Sequence, residues 1–186
     1  MAKLPEDVKV KIATSSRSCM IVWNLFTLIP ISVAQDFIET YYPALNSKSG
    51  RSALASFYVK SENTKPDIII NGNAIPSPTD LQKLFETQVQ KAQYDVQSYD
   101  AHILNSNYNF GDFSHQTQPD KDGKRASVIV LVSGSVKYGR ENEEADVRGF
   151  TESVVLVPNL EVMGPKAMKK KARKWSIASQ NFRLVA

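Results

Sequence analysis

Asp100 and His102 stand two residues apart in a loosely alternating stretch. On a strand both point to the same side, within reach of each other for acid–base work. The plainer reading is a half-exposed polar strand face, and it is preferred. Tyr41, Tyr42, Tyr58 and Tyr99 are read as core or interface aromatics before they are read as pocket lining. Cys19, His102 and His115 make no zinc site without carboxylate help. The chain contains no G-x-S-x-G, P-loop, G-x-G-x-x-G or H-E-x-x-H. No catalytic residue, metal or cofactor is therefore assigned. The densest chemistry is basic: Lys166, Lys169, Lys170, Lys171, Arg173 and Lys174, with no acidic residue among them. Taking these six away turns the formal charge from +4 to −2. A contact with nucleic-acid phosphates thus rests on this segment, and the competing reading is a localisation signal or a solubilising loop.

These residues need a scaffold. The 186 residues are enough for one domain with a sizeable core, and 42% apolar against 23% charged residues is a globular balance. The single cysteine excludes an internal disulfide and suits a reducing compartment. The run Met20 to Val33 is apolar but shorter than the roughly 20 residues a membrane-spanning helix needs, so no membrane insertion is expected. Glu6 and Asp7 near its start, and the lack of a small-residue cleavage site, argue against a secretory signal. Residues 1–30 are set apart as an N-terminal segment of uncertain structure, and 31–186 as the domain.

After Pro30 a helix is expected, capped by Ser32, with Ala34, Phe37, Ile38 and Tyr41 on one face and Pro43 at its end. A second, short helix is expected over Ser49 to Tyr58. Asp67 to Ile70 reads as a strand, and Asn71-Gly72-Asn73 as a turn. A third helix follows Pro78, with Thr79 as its cap and Leu81, Leu84, Phe85 and Val89 as its apolar face. Four strands come next: Tyr94 to Ile103, Ser127 to Val136, Phe150 to Val157 and Trp175 to Leu184. Long loops span 105–125 and 161–174. The fold class is α+β, with three helices packed on one face of a curved antiparallel sheet.

Val128 to Val132 and Val154 to Val157 are apolar at every position. A sheet with one wet face should alternate. Three helices cover one face only, and the insertion 105–125 is too polar to serve as a lid. A second chain is the expected cover of the other face.

The ordered set of segments now carries a resemblance. Phe37-Ile38-Glu39-Thr40-Tyr41-Tyr42 is followed by Ile70-Asn71-Gly72-Asn73-Ala74-Ile75 and Leu81-Gln82-Lys83-Leu84-Phe85-Glu86. Gly134-Ser135-Val136-Lys137 closes the next matching strand, and Trp175-Ser176-Ile177-Ala178-Ser179-Gln180-Asn181-Phe182-Arg183 is the last. Together they resemble the nuclear transport factor 2-like family. Within it they are similar to the small subunit of the mRNA export heterodimer, the mRNA transport regulator of fungi. The resemblance implies a non-enzymatic subunit whose open sheet face pairs with the matching domain of the large receptor. Arg183 is then the match to an intersubunit salt-bridge arginine, with Asn181, Ser133 and Ser135 in the same interface. It further implies work in the nucleus and at the nuclear pore, shuttling to the cytoplasm, with FG-repeat nucleoporins met through the heterodimer and RNA through the basic loop. Two rivals share the fold. One is the homodimeric importer of the GTPase Ran, whose last strands carry acidic residues where this chain has Ser133, Ser135 and Arg183. The other is an isomerase or dehydratase, which would need Asp100, His102 and Tyr58 in a deep apolar cone.

Overall fold

The structure, a computed structural model, describes residues 28–60, 65–89, 91–105, 126–139, 146–159, 162 and 173–185. Cys19, His115, nearly all of the two long loops, and Lys166, Lys169, Lys170 and Lys171 lie outside the described residues.

Helix α1 spans Ile29–Asn46, longer at both ends than the sequence suggests. Pro30 sits in its first turn, where a missing N–H removes no helical hydrogen bond, so the helix starts before Ser32. Pro43 does not end it. Its ring lies on the exposed side, and its carbonyl still accepts from the Ser47 N–H at 3.2 Å. The inner face carries Val33, Ala34, Phe37, Tyr41, Tyr42 and Leu45. The expected second helix is split into α2 (Lys48–Arg51) and a 3-10 turn (Leu54–Phe57). Ser47 caps α2 by accepting from the Gly50 N–H at 2.9 Å.

β1 (Asp67–Ile70) and β2 (Asn73–Ala74) form a hairpin. Asn71 and Gly72 both take positive φ, 51° and 84°, which is what a two-residue hairpin turn of this hand requires. Helix α3 runs from Pro78 to Thr87 and is capped by Ser77, whose hydroxyl accepts from the Asp80 N–H; Thr79 is already inside it. Leu81 and Phe85 are its buried residues. Four long strands follow: β3 (Ala92–Asn105), β4 (Ser127–Tyr138), β5 (Asp146–Pro158) and β6 (Trp175–Val185).

The six strands lie in the order β2-β1-β6-β5-β4-β3 in one curved, unclosed sheet. The sheet is mixed, not purely antiparallel: β1 runs parallel to β6, with Ile70 opposite Phe182. A parallel neighbour needs a long crossover, and here α3 and four further strands intervene. Irregularities at Val96/Ser98, Ile103/Asn105 and Val155/Leu156 bend the long strands. The helices cover one face. Between them and the sheet lies an aromatic core in which Tyr42, Tyr94, Phe150 and Phe182 meet at ring distances of 5.5 to 6.1 Å. Asn46, at the end of α1, donates to the Tyr94 carbonyl at 3.0 Å and accepts from the Tyr94 N–H at 2.6 Å. It thereby occupies part of the free edge of β3 as a strand would.

Candidate partner interface on the open sheet face

Alternation along β4 sends Val128, Val130, Val132 and Val136 into the core and Ile129, Leu131, Ser133 and Ser135 to the face that no described helix covers. The register then builds that face in rows across four strands. Arg183, Thr151, Ser133 and Ser98 form one row. Asn181, Ser153, Leu131 and Asp100 form the next, followed by Ser179, Val155, Ile129 and His102. Val185, Gly149, Ser135 and Asp95 lie on the other side of the first row. The four residues expected at an interface, Arg183, Asn181, Ser133 and Ser135, therefore share one surface.

A groove of about 420 Å³ runs over this surface between Ser98, Asp100, Leu131, Thr151 and Arg183. Leu131 is 45% exposed on its floor. The expectation of strands apolar on both faces holds for the Ile129, Leu131 and Val155 half. The other half turns polar at Ser133, Ser135 and Thr151. Ser98 and Ser133 hydroxyls meet at 2.7 Å. Arg183 is exposed, lies over the Gly72 turn, and meets no carboxylate among the described residues. The Asn181 side-chain oxygen is buried without a hydrogen-bond partner among the described residues.

Asp100 and His102 do pair, at 2.9 Å, on this same face and largely exposed. The hydrogen bond from His102, with that from the Ala101 N–H, holds the Asp100 carboxyl below the usual carboxylate range. Tyr58 is nowhere near them. It is fully buried on the helix side, in a network built around Glu152, which the sequence alone does not single out. Glu152, 3% exposed, accepts from the Tyr42 hydroxyl at 2.5 Å and from the Gln180 amide. That amide also donates to the Tyr41 hydroxyl at 2.8 Å, and Tyr58 donates to the Gln180 oxygen. Burial pushes the Glu152 carboxyl up, offset in part by hydrogen bonds from Gln180 and Tyr42. Burial likewise raises Tyr41, Tyr42 and Tyr58, and the Glu152 charge adds to the rise. A signal is present in the sequence: Glu152 falls in phase with the inward Phe150 and Val154. The aromatic side chains fill the space around it.

Of the basic segment, Arg173 and Lys174 are described. They rim a second hollow of about 240 Å³ on the helix side, with Phe37, Thr40, Phe57 and Trp175. The Arg173 guanidinium stacks 3.5 Å from the Phe57 ring centre and donates to the Ser56 hydroxyl at 2.8 Å. Among the described residues no three His, Cys, Asp or Glu side chains gather to hold a metal. Nor is any described helix long and apolar enough to cross a membrane.

No family model matches the chain, and no curated protein matches it by sequence. Solved structures do. A chain of the complex of a Sac3N peptide with Mex67:Mtr2 superposes with TM-score 0.69 at 26% identity, over 84% of this chain and 99% of that one. A chain of the Chaetomium thermophilum Mex67 NTF2-like domain complexed with Mtr2 gives 0.69 at 28%, over 84% and 98%. Mtr2 itself gives 0.65 at 28%, over 82% and 97%. Nuclear transport factor 2 from Cryptosporidium parvum, at 0.52 and 16% identity, shares the fold. The fold is thus NTF2-like, and within it the chain is similar to Mtr2.

Proposed function

We propose that this NTF2-like, Mtr2-like protein is the small, non-enzymatic subunit of a heterodimeric mRNA export receptor. It pairs through its open sheet face with the NTF2-like domain of a Mex67-type large subunit. The carrying observation is that face: a grooved surface with Leu131 exposed on its floor and Arg183 beside it without a carboxylate among the described residues. The similarity to chains of Mex67:Mtr2 complexes supports the identity of the cover. A stable pair should bury at least about 1,200 Å² in total, apolar at the centre and polar at the rim. The heterodimer would then act in the nucleus and at the pore, meeting FG-repeat nucleoporins as a unit and contacting RNA through the basic loop.

The absence of an enzymatic role is supported by the two carboxylate sites. Glu152 is enclosed and hydrogen-bonded within a filled core, and the Asp100–His102 pair lies largely exposed, with no cone enclosing it among the described residues. Co-expression with the receptor's NTF2-like domain, then gel filtration, tests the reading. The expected result is a one-to-one complex that Arg183→Asp weakens strongly, by about 3–5 kcal/mol if the facing carboxylate is left buried and unpaired. A stable homodimer that ignores the receptor domain would overturn it and favour the Ran importer.

A further inference from the structure

The open face is electrically lopsided along its rows. β6 contributes Arg183, whereas β3, at the far edge of the sheet, contributes Asp95 and Asp100. Three strand spacings separate β6 from β3, roughly 14 Å. Of the two acids, Asp95 lies one row from Lys137 on the same face, while Asp100 lies three rows from it, beside Leu131 and the groove. Among the described residues no lysine or arginine pairs with Asp100.

We propose that Asp100 is a second electrostatic anchor of the interface, receiving a basic side chain of the partner's NTF2-like domain while Arg183 receives an acidic one. This rests on the heterodimer reading above and adds to it the chemistry of the partner at a second point. Three observations support it. The carboxylate is already held in place, one oxygen accepting from the Ala101 N–H at 2.8 Å and the other from His102 at 2.9 Å. Docking therefore freezes little further side-chain motion there. The same bonds lower the pKa of the carboxyl and so favour its charged form. Finally, the neighbouring Leu131 and half-buried Ile129 give an apolar floor that sheds water on docking, which strengthens a charge pair formed at its edge.

Two opposite charges at opposite sides of one groove also fix polarity. A partner turned end for end would bring its acid to Asp100 and its base to Arg183, and both contacts would repel. The pair thus discriminates orientation as well as partner.

The test uses this chain co-expressed with the NTF2-like domain of the large receptor from the same organism. Affinity is measured at low and high salt for the parent, Asp100→Asn, Asp100→Lys and Glu39→Lys. Glu39 is an exposed acid on the helix side, so its reversal reproduces the change in net charge away from the face. Asp100→Asn should weaken pairing about tenfold and flatten its salt dependence, and Asp100→Lys should weaken it further, while Glu39→Lys leaves it near the parent. Thermal melts of the single chains establish that all variants fold. If Asp100→Lys pairs as tightly as the parent with the same salt dependence, the anchor is disproved and the heterodimer stands. If the parent itself fails to pair, the heterodimer reading falls and the anchor with it. Self-association of the parent that Asp100→Lys abolishes would replace the receptor by a second copy of this chain.

Discussion

Glu152 carries a carboxyl into the centre of an aromatic core, where only hydrogen bonds from Tyr42 and Gln180 compensate its burial. Its folded-state pKa is raised above the ordinary 4.5, so the native state holds the proton more tightly than the unfolded chain. The stability this contributes is fully present below about pH 4.5 and is lost as pH rises through the folded pKa. Glu152→Gln has the same shape and no titration. In urea unfolding across pH, the stability of Glu152→Gln relative to the parent should therefore increase as pH rises above 4.5. Glu152→Ala is different: it takes the acceptor from the Tyr42 hydroxyl and from one N–H of the Gln180 amide and opens a cavity, at a cost of about 2–4 kcal/mol at low pH that narrows as the parent's carboxyl ionises. A parallel pH dependence in the parent and Glu152→Gln would show that the carboxyl does not titrate in this way.

Among the elements, the β1–β2 hairpin shows how one turn serves two neighbours. Asn71 donates its N–H to the Phe182 carbonyl at 2.8 Å, and its side chain accepts from the Leu184 N–H at 2.8 Å. The turn thus grips β6 on either side of Arg183. Gly72, at φ 84°, lies beneath the Arg183 guanidinium. Gly72→Ala should cost about 1 kcal/mol through the left-handed backbone alone, read as a lowered thermal midpoint, because the added methyl group meets Arg183 only at ordinary contact distance. This turn is legible in Asn71-Gly72, as are β1 and the four long strands to within a few residues, since β-branched alternation and turn chemistry are local signals. The parallel β1–β6 pairing is not, because strand direction follows from where a distant segment comes to rest. Pro43 misleads for a related reason. Packing of Tyr41, Tyr42 and Leu45 carries α1 through it, and a propensity rule does not see tertiary contact. Arg183, Asn181, Ser133 and Ser135, which the family resemblance assigns to an interface, lie on one face of the sheet. Asp100 reads in sequence as part of a half-exposed polar strand face, with the acid–base pair beside His102 as the lesser reading, because its place in the row with Leu131 depends on the register between strands.

On the scale of the whole molecule, the proposed pairing and RNA contacts belong to two different surfaces. Arg173 is fastened to Phe57 and Ser56 on the helix side, so the described end of the basic loop is rooted away from the open face. Pairing and RNA binding then need not compete. Replacing Lys169, Lys170 and Lys171 by alanine should leave the heterodimer intact and weaken RNA binding for all sequences alike. The slope of log affinity against log salt should fall by about 0.7 for each phosphate that is no longer neutralised. An unchanged slope would leave the loop without an RNA role. The strand order has a consequence of another kind, in time. β6 comes last among the described strands, yet it lies inside the sheet between β1 and β5. Until the ribosome has released residues 175–185, β1 has no partner but β2, β5 has a bare inner edge, and Phe182 and Gln180 are missing from the core. The nascent chain must wait with its hairpin and its three remaining long strands unjoined, and such a wait exposes sticky edges. The open face, with Arg183 on β6, is complete only once that strand has joined the sheet.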